Sequence, residues 1–277
     1  MSAATMNRAK KISSYGMALC AMVVILVPLF VLATVSLQNP ATGPNPLKLP
    51  DSFYWSNYAE AIEKGRLLLY FGNSMTVLVL TTSITLLASV LAGYALRHGK
   101  PWKADLIFTF FLMGLILPGF AGTIQSFLLL RELSLLNTHI GLSIVQTAGG
   151  MALPIFLYLQ FFRTVPLEIE EAAVIDGCSS VKLFWKVVFP LTLPVTSTCV
   201  IIIALNSWND FFNPLVYLPS PDMRTLPTGL MAFRMQYSTE WQQLFAAAVL
   251  IAAPFTLLYV FIQRYIIKGL VGGAVKG

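Results

Sequence analysis

The sequence predicts an all-α integral membrane protein with six transmembrane helices, and three observations carry that prediction. Only 11% of its 277 residues are charged while 57% are hydrophobic, where a water-soluble domain carries about 25% charged residues. Six apolar stretches come close to the roughly 20 residues that a helix needs to cross the bilayer core. The basic residues fall unequally in the segments between those stretches, as expected of a chain oriented by charge across a membrane.

The stretches are Tyr15–Leu37, Leu69–Leu96, Leu106–Leu130, Ile140–Phe162, Val187–Asn209 and Leu244–Ile262. Arg8, Lys10 and Lys11 precede the first of them, as they would in a secretory signal. Ile12 to Leu47 carries no charge at all, which is too long for a cleaved apolar core of about 7–15 residues, so the first stretch is expected to be retained. The segment Gln38–Gly65 is rich in Pro and Asn and then offers Asn57–Ile62 as a short interfacial helix. Ala88/Ala92 and Ser89/Gly93 put small residues four apart in the second stretch, a spacing that lets helix backbones approach closely. Pro118-Gly119, Gly149-Gly150 and Pro154 interrupt the third and fourth stretches as either hinges or packing kinks. A second Pro-rich segment, Pro214–Trp241, precedes the sixth stretch.

Six spans put both termini on one side. Twelve of the eighteen Lys and Arg residues then share a side: Arg8, Lys10, Lys11, Arg97, Lys100, Lys103, Arg163, Lys182, Lys186, Arg264, Lys268 and Lys276. The other six are Lys48, Lys64, Arg66, Arg131, Arg224 and Arg234. The richer side is the cytoplasmic one, so both termini and the 163–190 loop are expected in the cytoplasm. This gives a cytoplasmic N-tail (1–14), a six-helix membrane domain (15–267) and a cytoplasmic C-tail (268–277).

The net charge of +6 is spread along short loops rather than gathered in a patch, so it reads as topogenic and not as a nucleic-acid footprint. Cys20, Cys178 and Cys199 have no disulfide or metal spacing. His98 and His139 lie near stretch ends, and neither pairs with a Ser or a metal-ligand set, which argues against an intramembrane enzyme. An ion-driven secondary transporter wants a titratable group at mid-membrane, and the spans offer only Asp210, near an end. No Gly-x-x-x-x-Gly-Lys-Ser/Thr phosphate loop is present, so ATP is not bound in that manner.

The 163–190 loop is polar, between two long apolar stretches. Pro166 suits a helix start. Glu168, Glu170 and Glu171 complement the dipole of the first turns. Ala172 and Ala173 are strong helix formers with a small surface. Gly177 fits a left-handed position that ends the helix. Ser179 or Ser180 would cap a second helix that closes at Pro190. Asp176 stands beside the glycine. Polar residues within apolar spans usually face a protein interior; here these are Gln125, Gln146, Asn206, Asn209, Asp210 and Asn213. The last four recur three and four apart on one helical face, and offer amides and a carboxylate to a sugar or to a neighbouring helix.

Glu171-Ala172-Ala173, Gly177, Val187, Phe189 and Pro190 together resemble the EAA loop of ABC-importer permeases. Trp208-Asn209-Asp210-Phe211, Thr225-Leu226-Pro227-Thr228-Gly229-Leu230, Asn57-Tyr58, Asn73-Ser74 and the tail from Gln263 to Gly277 resemble the carbohydrate branch of maltose-permease G type. The resemblance implies a type I ABC-importer permease fold in the bacterial inner membrane. It implies a second homologous permease, two copies of an ATPase that hold the ATP and Mg, an extracytoplasmic sugar-binding protein and a carbohydrate substrate. It assigns Glu168, Glu171, Ala172, Ala173, Asp176, Gly177, Ser179 and Pro190 to ATPase coupling, and implies no cofactor or catalysis in this chain. Within the family the C-tail reaches into the ATPase interface. Glycerol phosphate is also handled in this branch, but no Arg cluster for phosphate stands in the outer loops, so a neutral sugar is expected, with uronate-bearing substrates left open.

Overall fold

A computed structural model describes residues 3–116, 121–236, 240–254 and 256; among them the regular structure is helical, without a strand. The helices are α1 (Ala3–Ser36), α2 (Ser56–Lys64), α3 (Leu67–His98), α4 (Pro101–Ile116), α5 (Thr123–Glu132), α6 (His139–Gly150), α7 (Ala152–Thr164) and α8 (Leu167–Ile175). They continue with α9 (Ser180–Leu191), α10 (Leu193–Asn209), α11 (Phe212–Tyr217), α12 (Leu226–Gln236) and α13 (Trp241–Pro254).

By length and apolar composition, Ser14–Ser36 of α1 and the whole of α3 suffice alone to cross a membrane. The α6–α7 pair, bent by 55°, and the α9–α10 pair, bent by 75°, each suffice if taken as one span. Both bends have a chemical cause. Gly149-Gly150 and Pro154 flank the first at Met151, and Pro190 and Pro194 flank the second at Thr192, where proline withholds the N–H that a continuous ladder needs. The third predicted span is seen as α4 and α5, while Pro118-Gly119 lie outside the described residues. So do the end of the sixth stretch and the C-tail.

The chain divides into two units. In the unit formed by Met1–Leu68 and Gly229–Pro254, the Pro-rich segment is tied down by amide side chains. Asn57 Nδ2 donates to the Ser36 and Gln38 carbonyls (both 2.9 Å), and Gln38 Nε2 donates to those of Asn45 (2.7 Å) and Lys48 (2.6 Å). The expected short helix is α2. Its Glu60 accepts from Lys64 (2.9 Å) and Gln243 (2.5 Å), while Lys64 also lies 3.5 Å from Glu240.

In the unit formed by Leu69–Thr228 and Phe255–Gly277, α3 is central. Ser89 is fully buried, and a Cβ built on Gly93 would stand 2.8 Å from Tyr158 Cβ and 3.2 Å from Leu159 N. The small-residue spacing thus marks a close approach of α3 to α7, as the sequence suggested. Asn73 Nδ2 donates to the Asp222 (2.8 Å) and Arg224 (2.9 Å) carbonyls, and Ser74 Oγ accepts from Leu226 N (2.8 Å). Two distant motifs, Asn73-Ser74 and Thr225-Leu226-Pro227, are therefore parts of one joint.

Candidate functional site

Two groups of polar residues stand out, and both lie in the α3-centred unit. The first is the turn after α8. Gly177 adopts φ +80°, and its N–H bonds to the Val174 carbonyl while that of Cys178 bonds to Ala173, both at 3.0 Å. This is the Schellman arrangement that terminates a helix at glycine, as the sequence predicts. Pro166 stands one residue earlier than expected, at the N-cap rather than in the first turn. Ser179 occupies the N-cap of α9 but makes no side-chain cap bond. Past Lys182 the backbone of α9 turns π-helical over Leu183–Val188 before Phe189-Pro190-Leu191.

The faces of α8 differ sharply. Glu168, Glu171, Ala172, Asp176, Gly177, Ser179 and Pro190 are exposed. Ala173 instead packs inward with Tyr158, Phe162, Leu183, Phe184 and Val188. The two alanines therefore do not present one surface, because adjacent helical positions are about 100° apart. Val174 and Ile175 add apolar area outward, Ile175 at 85% exposure.

Glu170 is the residue that sequence reasoning undervalued. It is 6% exposed, and its Oε2 accepts from Tyr94 OH (2.8 Å) and lies 3.0 Å from His98 Nε2. Arg97 Nε is 3.8 Å from Glu170 Oε1, and Arg97 Nη2 donates to the Val165 carbonyl at the entry to α8 (2.5 Å). Three polar residues in the last turns of α3 thus surround one carboxylate. The signal was present in Tyr94, Arg97 and His98, whose three- and four-residue spacing puts them on one helix face. In the sequence alone Arg97 reads only as a topogenic charge.

The second group lines a cavity of about 710 Å³ between α3, α6 and α10. Gln146, Asn206, Asn209, Asp210 and Asn213 all border it, and Gln125, exposed on α5, does not. The single helical face expected for the last four is not what joins them. Helix α10 stops at Asn209, and Asp210 is extended (φ −69°, ψ 117°). Its carboxylate then accepts from Asn213 N (3.1 Å), Asn213 Nδ2 (2.7 Å) and Gln146 Nε2 (2.8 Å), folding the start of α11 back toward the cavity. Gln146 Oε1 in turn accepts from Thr81 (2.8 Å) and Ser207 (2.9 Å), two residues the sequence reading had not singled out. The wall therefore offers amides, hydroxyls and one carboxylate, and among the described lining residues there is no lysine or arginine. Such a surface can exchange hydrogen bonds with a polyhydroxylated neutral solute. Asn209 Nδ2 folds back to the Leu205 carbonyl (2.9 Å), and Asn206 is exposed.

Residues 84–272 match the model of the family described as binding-protein-dependent transport system inner membrane component. Over 91% of its length the chain is 30% identical to the melibiose/raffinose/stachyose import permease of Bacillus subtilis, of which it covers 91%. It is 35% identical over 78% of its length to the arabinooligosaccharide transport permease of Halalkalibacterium halodurans, covering 76% of that protein. Its fold is similar to that of a chain in the crystal structure of a bacterial ABC transporter that imports the acidic polysaccharide alginate. That likeness has a TM-score of 0.79 at 22% identity and covers 96% of this chain and 98% of the other.

Proposed function

Because this chain belongs to the binding-protein-dependent transport system inner membrane components, a family of non-catalytic permease subunits, we propose that it forms half of the translocation path of an ATP-driven importer of neutral sugars or oligosaccharides. Sugar import by the relatives, together with a hydroxyl- and amide-lined cavity free of described cations, supports the substrate class. The other half of the path is a second, homologous permease. A binding protein delivers the sugar from outside, and an ATPase dimer supplies the energy. ATP and Mg act on those subunits, since this chain carries no phosphate loop.

The observation that carries the coupling role is the two-faced α8. Its inner face is locked to the chain's own core through Glu170 and Ala173, and its outer face, Glu168, Glu171, Ala172 and Ile175, is left open. A short helix fixed from behind, with acidic and apolar side chains together in front, is suited to lie in a groove of another protein. Closure of the ATPase would then move α8 as a body, and the spans around the cavity would alternate between outward and inward access. The orientation follows from charge: the loop lies on the side that collects twelve of the eighteen basic residues, which is the cytoplasmic side. Six spans arise if α1, α3, α4 with α5, α6 with α7, α9 with α10, and α13 with the apolar residues to Ile262 each cross once in the inner membrane.

Uptake in proteoliposomes tests this reading. With the partner subunits present, sugar accumulation is expected to require ATP inside the vesicle and to ignore an imposed proton gradient. Accumulation driven by the proton gradient without the ATPase contradicts it and favours an ion-coupled transporter using Asp210.

A further inference from the structure

Two physical routes lead from α8 to the cavity. The chain's own continuation passes the left-handed turn at Gly177, the π-helical segment Leu183–Val188 and the 75° bend before α10. Each is a place where a displaced helix bends instead of pushing. The second route runs sideways through Glu170 into α3. That helix is 32 residues long and contains no proline. It holds Tyr94, Arg97 and His98 at one end, and Thr85 and Thr81 on the cavity wall. Thr85 and Arg97 are twelve residues apart, about 18 Å of unbroken helix at 1.5 Å per residue.

We propose that Glu170 is a positioning residue that latches the coupling helix to α3, so that α3 carries the stroke of the ATPase to the solute cavity. The proposal rests on the coupling reading above. The latch is built to transmit: the carboxylate and Arg97 are both nearly buried, so water does not compete for the contact. Arg97 also holds the Val165 carbonyl, which fixes the entry to α8 as well as its first turn. Arg97 Nε is buried without a hydrogen-bond partner, 3.8 Å from Glu170 Oε1, so the pair has room to tighten as α8 moves. At the far end Thr81 bonds Gln146, and Gln146 bonds Asp210, so a shift of α3 acts directly on the polar wall.

The test uses the complete transporter, with Cys20, Cys178 and Cys199 replaced by alanine and Asn206→Cys added as a reporter in the cavity. The rate of labelling by a membrane-impermeant maleimide is measured in the nucleotide-free and ATP–vanadate-trapped states. In this background the two rates should differ by about fivefold or more, the lower range of a coupling free energy. Glu170→Gln should bring the ratio close to one while the ATPase subunits still co-purify and hydrolyse ATP. A ratio unchanged in Glu170→Gln overturns the latch. Should that variant accumulate poorly, Tyr94→Phe removes one latch bond and must lower the ratio; an unchanged ratio there overturns the latch equally. The coupling reading has its own signature: Gly177→Asp with normal ATPase co-purification and a normal nucleotide response overturns that reading, and the latch with it.

Discussion

Asp210 shows how one side chain organises the cavity. Its carboxylate takes three hydrogen bonds, from Gln146, the Asn213 backbone and the Asn213 amide, at the point where α10 has ended. Asp210→Ala leaves these donors without their acceptor, a loss of about 1–3 kcal/mol. We predict a lower midpoint of thermal unfolding in detergent together with weakened sugar uptake; Asp210→Asn, which keeps an acceptor oxygen, should recover most of the stability. An alanine variant as stable as the original protein would show that this network does not hold the wall together. The sequence marked Gln125, Gln146, Asn206, Asn209, Asp210 and Asn213 because polar groups in apolar spans are costly unless enclosed; all but Gln125 border the cavity. It passed over Glu170 because a glutamate in a first helical turn is already explained by the dipole. Burial of that carboxylate depends on Tyr94, Arg97 and His98, some seventy residues away.

Among the elements, the loop helix was the most legible, since its end is set by local backbone chemistry. Gly177 alone predicts the left-handed turn, and the turn is there. The π-helical stretch of α9 was not legible, because Leu183–Val188 carries no glycine or proline to announce it. Helix α3 is intermediate. The Ser89/Gly93 spacing indicated a close contact, and only the packing identified α7 as the partner. Gly93→Val pushes a branched side chain into Tyr158 and the Leu159 backbone, and overpacking of this kind costs about 1–3 kcal/mol. Less protein should remain folded after heating in detergent, and Gly72→Val, at a position with open space around it, should leave the folded fraction unchanged. Equal losses from both variants would mean that the α3–α7 approach is not the cause.

For the whole molecule, hydropathy sufficed to predict a helical membrane protein, since an excess of apolar residues over charge admits few alternatives. The bends were less legible. Pro154, Pro190 and Pro194 mark where the helices break, but their positions alone do not give the 55° and 75° angles. If the coupling reading holds, energy enters at the outer face of α8. A photo-activatable amino acid at Ile175, 85% exposed, tests it in the assembled complex, with Leu47, 97% exposed and expected from the charge count on the other side of the membrane, as control. Ile175 should capture the ATPase subunit and Leu47 should not. Capture of the ATPase from Leu47 with none from Ile175 would contradict that reading.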